Sequence, residues 1–138
     1  DDGAMGRRTR SLGSRVVPIT YISLDDAMRA IVMLKIGPVR DIGLLDSALS
    51  RPRASAFGED AYPTVGLKAA ALLHSLTKNH CLVDGNKRIA WFLTTIFCDL
   101  NDFRVNLADD DAFSLVWDIA AGDLSLPEIE SRLHLEPL

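Results

Sequence analysis

Residues 80–88 read HCLVDGNKR and lie between two apolar runs of helical period. A histidine, a carboxylate, a glycine, an amide and two cations thus share one connection and the helix start behind it. His80 carries the side chain whose ordinary titration lies nearest neutrality, and a base there would take the proton of an attacking hydroxyl. Asp84 is the only carboxylate of the stretch. It suits Mg²⁺, which takes one or two carboxylates together with phosphate oxygens and water. Gly85 offers an open approach and tolerates the dihedrals of an anion-binding nest. Asn86 either gives its amide to a phosphate oxygen or holds the loop in shape. Lys87 adds a mobile point charge, and Arg88 a planar fork that grips phosphate through two donors. Base, metal ligand, anion nest and cationic clamp are the parts that phosphoryl or nucleotidyl transfer requires.

A plainer reading stands beside this one. Asp84-Gly85-Asn86 would also serve as a turn with a helix cap, with Lys87 and Arg88 as surface charges. Residue chemistry alone leaves both open, so the elements that hold the stretch matter.

Before it, residues 64–79 repeat apolar side chains at three- and four-residue steps through Val65, Ala69, Leu72, Leu73 and Leu76, the pattern of an amphipathic helix. After it, residues 86–101 (Ile89, Ala90, Trp91, Phe92, Leu93, Ile96, Phe97, Leu100) are apolar on nearly all sides, which predicts a central buried helix. At that helix start several backbone N–H groups lack an intrahelical partner, and the dipole adds positive charge for an anion. Upstream, Ser23 is the expected N-cap of a helix with Asp25 and Asp26 in its first turn, stopped by Gly37-Pro38. Residues 41–50 form a second helix closed by Pro52, and 51–63 read as a loop or loosely helical excursion. Downstream come a helix over 108–121 ended by Gly122, then a last one opened by a Ser125/Glu128 capping box with Pro127 in its first turn. Residues 16–22 could make a short β segment, weakened by Pro18. The expectation is an all-α bundle of about six helices, with the loop capping a central one.

The 138 residues suit one domain, expected over 16–138. A Gly/Ser/Arg-rich arm over 1–15 reads as disordered, with GAMG as a cloning remnant, and lacks the apolar core of a signal peptide. A formal charge of −4 gives no basic field for direct nucleic-acid binding. No apolar stretch reaches the ~18 residues of a membrane span. Cys81 and Cys98 have no zinc-like spacing and suit a reduced, cytoplasmic setting.

HCLVDGNKR resembles the motif of the Fic/Doc family, H-x-F-x-[DE]-G-N-G-R in Fic enzymes and H-x-F-x-[DN]-A-N-K-R in death-on-curing (Doc) toxins. His80, Asp84, Gly85, Asn86 and Arg88 fall on the Fic pattern, and Lys87 replaces its second glycine as in Doc. ISLDDAMRAI, DIGLLDSALSRP and AAALLHSLTKNH extend the likeness from about Ile19 to Leu135. The resemblance implies the Fic helical core and a toxin that uses ATP and Mg²⁺ to phosphorylate a hydroxyl, a threonine of elongation factor Tu in Doc toxins, and so halts translation. It also implies an antitoxin partner whose disordered tail folds on binding. Carried over by position, His80 would be the base, Asp84 the Mg²⁺ ligand, and Gly85 and Asn86 the phosphate cradle. Lys87 and Arg88 would neutralise charge in the transition state. The alternatives are AMP transfer by the same site, or a non-catalytic binding module. Leu82 stands in place of the motif's Phe, and Trp91 where many Fic enzymes have a second Arg; both are departures.

Elsewhere, His74 reads as a structural or surface histidine, and Trp91, Trp117, Phe92 and Phe97 as core. Arg51 and Arg53 read as solvated loop charges, Asp109 to Asp111 as a helix-start cluster, and Cys81 as an inward filler. No Ser/His/Asp triad, Walker A motif or Rossmann glycine pattern is present.

Overall fold

The computed structural model describes the backbone of residues 9–12 and 15–138, and the side chains of residues 18–138. Six helices carry the fold: α1 (Leu24–Leu34), α2 (Ile42–Ser50), α3 (Val65–Asn79), α4 (Asn86–Leu100), α5 (Asp109–Ala121) and α6 (Leu126–Leu133). Three short antiparallel pairs accompany them: β1 (Thr9–Leu12) with β2 (Arg15–Pro18), β3 (Ser55–Ala56) with β4 (Glu59–Asp60), and β5 (Phe103–Val105) with β6 (Leu135–Pro137). The mostly α-helical expectation therefore holds. Of the arm expected to be disordered over 1–15, residues 1–8, 13 and 14 lie outside the described residues. Thr9–Leu12 instead pair with Arg15–Pro18, so the β segment sits earlier than 16–22. The region expected as a loop holds a 3-10 turn (Arg51–Arg53) and the β3–β4 hairpin.

Which helix is central differs from expectation. α3, not α4, is buried on almost every side, from Val65 to Thr77. Its Ala69-Ala70-Ala71 triplet is wholly buried; small side chains there let α2, α4, α5 and α6 all pack on it. α4 buries one face (Ile89, Ala90, Leu93, Thr94, Phe97, Cys98) against the core. Its other apolar residues, Trp91, Phe92 and Ile96, are half-buried, and Leu100 is exposed. Composition overstated the burial of α4 because its second apolar face lines grooves rather than core.

The helix starts follow the sequence. Ser23 Oγ accepts from Asp26 N and the Asp26 carboxylate accepts from Ser23 N, while Ser125 and Glu128 do the same at α6. Such caps satisfy N–H groups that the helix leaves free. Lys68 is a cation with no exposed surface; its ammonium donates to Pro52 O at 3.3 Å and Asp60 Oδ2 at 3.2 Å. A buried charge must be paired, and this pair ties the β3–β4 hairpin to α3.

Candidate active site

The loop between α3 and α4 is short, and its shape is set at both ends by residues that leave helical dihedrals. His80 ends α3 in the left-handed region (φ 51°, ψ 49°), and Gly85 precedes α4 with φ 94°. His80 is exposed, whereas Cys81 and Leu82 behind it are buried. Burial, the largest influence, pushes the Cys81 thiol up, in keeping with an inert filler. Leu82, at 1% exposure, anchors the loop in the core as an apolar residue at the motif's Phe position should.

A strap following α1 holds the loop from outside. Gly37 N donates to Asp84 O (2.9 Å), Val83 N to Pro38 O (2.9 Å) and Arg40 N to Cys81 O (2.7 Å), with Val39 bridged to Leu82. The Arg40 guanidinium donates to His80 O, through Nε at 2.8 Å and through Nη2, and so fixes the backbone that carries the imidazole. From inside, Asn86 spans the loop: its Oδ1 accepts from Leu82 N and its Nδ2 donates to Leu82 O, both at 2.9 Å. Of the two roles open to Asn86, the structure displays loop bracing.

These braces use carbonyls and the N–H groups of Leu82 and Val83. Among the described residues no acceptor takes the N–H groups of Asp84, Gly85, Asn86, Lys87 or Arg88, and α4 has no side-chain cap. Asp84 is exposed, and among the described residues nothing bonds to its carboxylate. The start of α4 is therefore rigid, uncapped and rich in free donors, in contrast to the Ser-capped α1 and α6. A turn whose only task was to cap α4 would have Asp84 accept those N–H groups, and it does not.

Gly85 has a different reason for being glycine than ligand access alone. A Cβ there would lie 2.5 Å from Ile36 Cβ, on the protein side, and φ 94° is in the region that side chains disfavour. The two cations also point where the sequence did not indicate. Arg88 Nη2 lies 3.4 Å from Leu34 O at the end of α1. The Lys87 ammonium sits 5.4 Å from the centre of the Trp117 ring. Both line a cleft of about 720 Å³ between α4 and α5, with Leu34, Phe92, Asp109 and Phe113.

As donor set, Asp84 is a lone carboxylate; among the described residues no three His, Cys, Asp or Glu side chains gather to hold a metal. Such a site fits Mg²⁺ that arrives with phosphate oxygens and water as its main ligands, and does not fit a closed structural metal centre.

Three expectations are corrected. Trp117 is not core: it is 54% exposed and stacks on Phe113, ring centres 5.9 Å apart. Trp91 and Phe92 are half-buried, and of that group Phe97 alone is fully buried. Arg51 is not a solvated loop charge but donates to Tyr62 Oη (3.0 Å) and Ser75 Oγ (2.8 Å) and faces His74 Nδ1 (3.1 Å). Arg53 is exposed but lies 4.6 Å from the Tyr21 ring centre. Sequence reasoning missed Arg40, Ile36 and Trp117, which act on the site from α5 and from the strap after α1. Only the apolar, basic character of IGPVR hints at the strap.

His74 is structural, as expected, and carries a pH prediction. Burial first, and then Arg51 and Lys78, hold its pKa below the ordinary 6.5. Above pH 6.5 the imidazole is neutral folded or unfolded; below it the unfolded chain binds a proton that the fold resists, so stability falls with pH. His74→Gln should flatten the fall in Tm between about pH 6.5 and pH 5; an unchanged slope would remove His74 from the acid response.

The motif loop, the helical core around it and the strap define a Fic-type site, and the chain belongs to the Fic/DOC family, whose model matches residues 21–98. It is 48% identical over 101 residues to the protein named Toxin Doc from Mycolicibacterium smegmatis, an alignment covering 69% of this chain and 75% of that protein. Among the described residues no helix is long and apolar enough to cross a membrane.

Proposed function

We propose that this chain is a Doc-type toxin that transfers the γ-phosphate of ATP to a hydroxyl of elongation factor Tu, with a partner antitoxin to restrain it. The observation that carries the transfer reading is the run of N–H groups from Asp84 to Arg88 that meet no acceptor among the described residues, in a loop that also presents His80 and Asp84 to solvent. Donors that are already fixed cost no reorganisation when charge develops on a phosphate. The His80 imidazole accepts the proton of the target hydroxyl as its oxygen attacks phosphorus. The bond from the γ-phosphorus to the bridging oxygen breaks, and ADP leaves. The backbone donors hold the phosphate oxygens, and Lys87 and Arg88 supply positive charge at the cleft side. Mg²⁺, bound through Asp84, would neutralise phosphate charge.

Lys87 favours phosphate over AMP transfer. Its ammonium, turned to the cleft side beside the Trp117 ring, sets a positive charge next to the nest where the Fic motif's glycine would leave bare backbone, so it changes which phosphate occupies the nest. Incubating the protein and elongation factor Tu with ATP labelled separately at the α- and γ-phosphates should move only the γ label. Transfer of the α label would make it an AMP transferase, and transfer of neither would reduce it to a binding module.

The antitoxin reading draws on exposed apolar surface. Met33 (60%) on α1 and Phe113 (65%) on α5 line grooves on either side of Phe92. A disordered tail needs such buried area to offset its ordering.

A further inference from the structure

Among the described residues, Lys87 is the motif cation held by a ring. Its ammonium lies 5.4 Å from the Trp117 ring centre, and Trp117 in turn stacks on Phe113 one helical turn earlier, ring planes 22° apart. Both rings are more than half exposed. Among the described residues no carboxylate lies within 4.0 Å of Lys87, and Asp109, across the same cleft, makes no ion pair with it. A carboxylate partner would fix the lysine but cancel its charge and compete with an incoming anion. The face of an indole fixes an ammonium and leaves its charge and its N–H donors available.

From this arrangement we propose that Trp117 is a positioning residue for Lys87: it holds the ammonium at the cleft edge of the α4 start, charged and unquenched, where the outer part of a bound triphosphate lies. This rests on the reading that phosphates occupy that helix start. Without the ring, the four-carbon stem of Lys87 is free and must be ordered when the anion binds.

The test is a double-mutant cycle on the Kd for inorganic triphosphate, measured by calorimetry on the wild type, Trp117→Leu, Lys87→Met and the double variant. Trp117→Leu should weaken binding about two- to fivefold, the range an exposed cation–π contact supports. It should have no further effect once Lys87 is methionine. Trp117→Phe, which keeps a ring, should recover part of the loss. In the free protein the Lys87 ε-methylene proton resonances should be shifted upfield by the indole and return to ordinary values in Trp117→Leu. An unchanged or tighter Kd, an equal loss in both Lys87 backgrounds, no triphosphate binding by the wild type, or no upfield shift would overturn the proposal. A wild type that binds triphosphate through this pair but transfers no phosphate to protein would instead overturn the kinase reading and leave the positioning role standing.

Discussion

His80→Ala should lower the rate of group transfer by about 10²–10⁴-fold, the contribution of a positioned general base, and should abolish growth arrest on expression. The fold should survive. His80 is exposed, and its structural contribution is the carbonyl that accepts from Arg40, a backbone group that alanine retains. Its left-handed φ of 51° is somewhat harder for alanine to adopt. His80→Asn, tolerant of that region, is therefore the companion variant. Transfer rate, Tm and triphosphate affinity should be measured together: loss of transfer with little change in the other two is the expected result for both variants. A variant that still transfers at the wild-type rate would remove the imidazole from the chemistry. One that fails in all three would make His80 a structural residue.

Gly85→Ala is expected to have the second largest effect, for two reasons that can be separated. The added methyl would meet the side chain of Ile36 at 2.5 Å, and the backbone would carry a side chain at φ 94°. Overpacking alone costs about 1–3 kcal/mol, and the disfavoured dihedral adds to it. The loop has little freedom to yield, since Gly37, Pro38, Val39 and Arg40 grip it outside and Asn86 inside. Denaturant unfolding should register the loss of stability, and triphosphate affinity should fall as the α4 donors move. Adding Ile36→Ala to Gly85→Ala relieves the contact but not the dihedral, so it should restore part of the stability and not all of it. Full stability in Gly85→Ala itself would mean that the strap does not hold the loop as tightly as these bonds imply.

Much of this was legible in the chain. The six helices, the Ser23 cap and the Ser125/Glu128 capping box could be read because those signals are local: Ser23, Ser125 and Glu128 act on N–H groups within three residues. The motif stood out because its parts are contiguous from His80 to Arg88. What could not be read depends on contacts distant in sequence. Arg40 reaches the His80 carbonyl, Ile36 sits under Gly85, and Trp117 meets Lys87, and no periodicity announces such meetings. The exchange of central roles between α3 and α4 has a similar cause. Apolar content reports how much surface a helix could bury, while the buried alanines of α3 decide how many neighbours can close on it. Of the two roles the sequence left open for Asn86, the structure displays loop bracing, and Gly85 also makes room for Ile36.

The central claim is that the N–H groups opening α4 receive phosphate. Amide NMR of the free protein titrated with ATP and Mg²⁺ tests it most directly. The account predicts saturable shifts concentrated on Asp84 to Arg88, with smaller ones at the Trp117 indole. Saturable shifts elsewhere that leave those amides unmoved, or no saturable shifts at all, would contradict it.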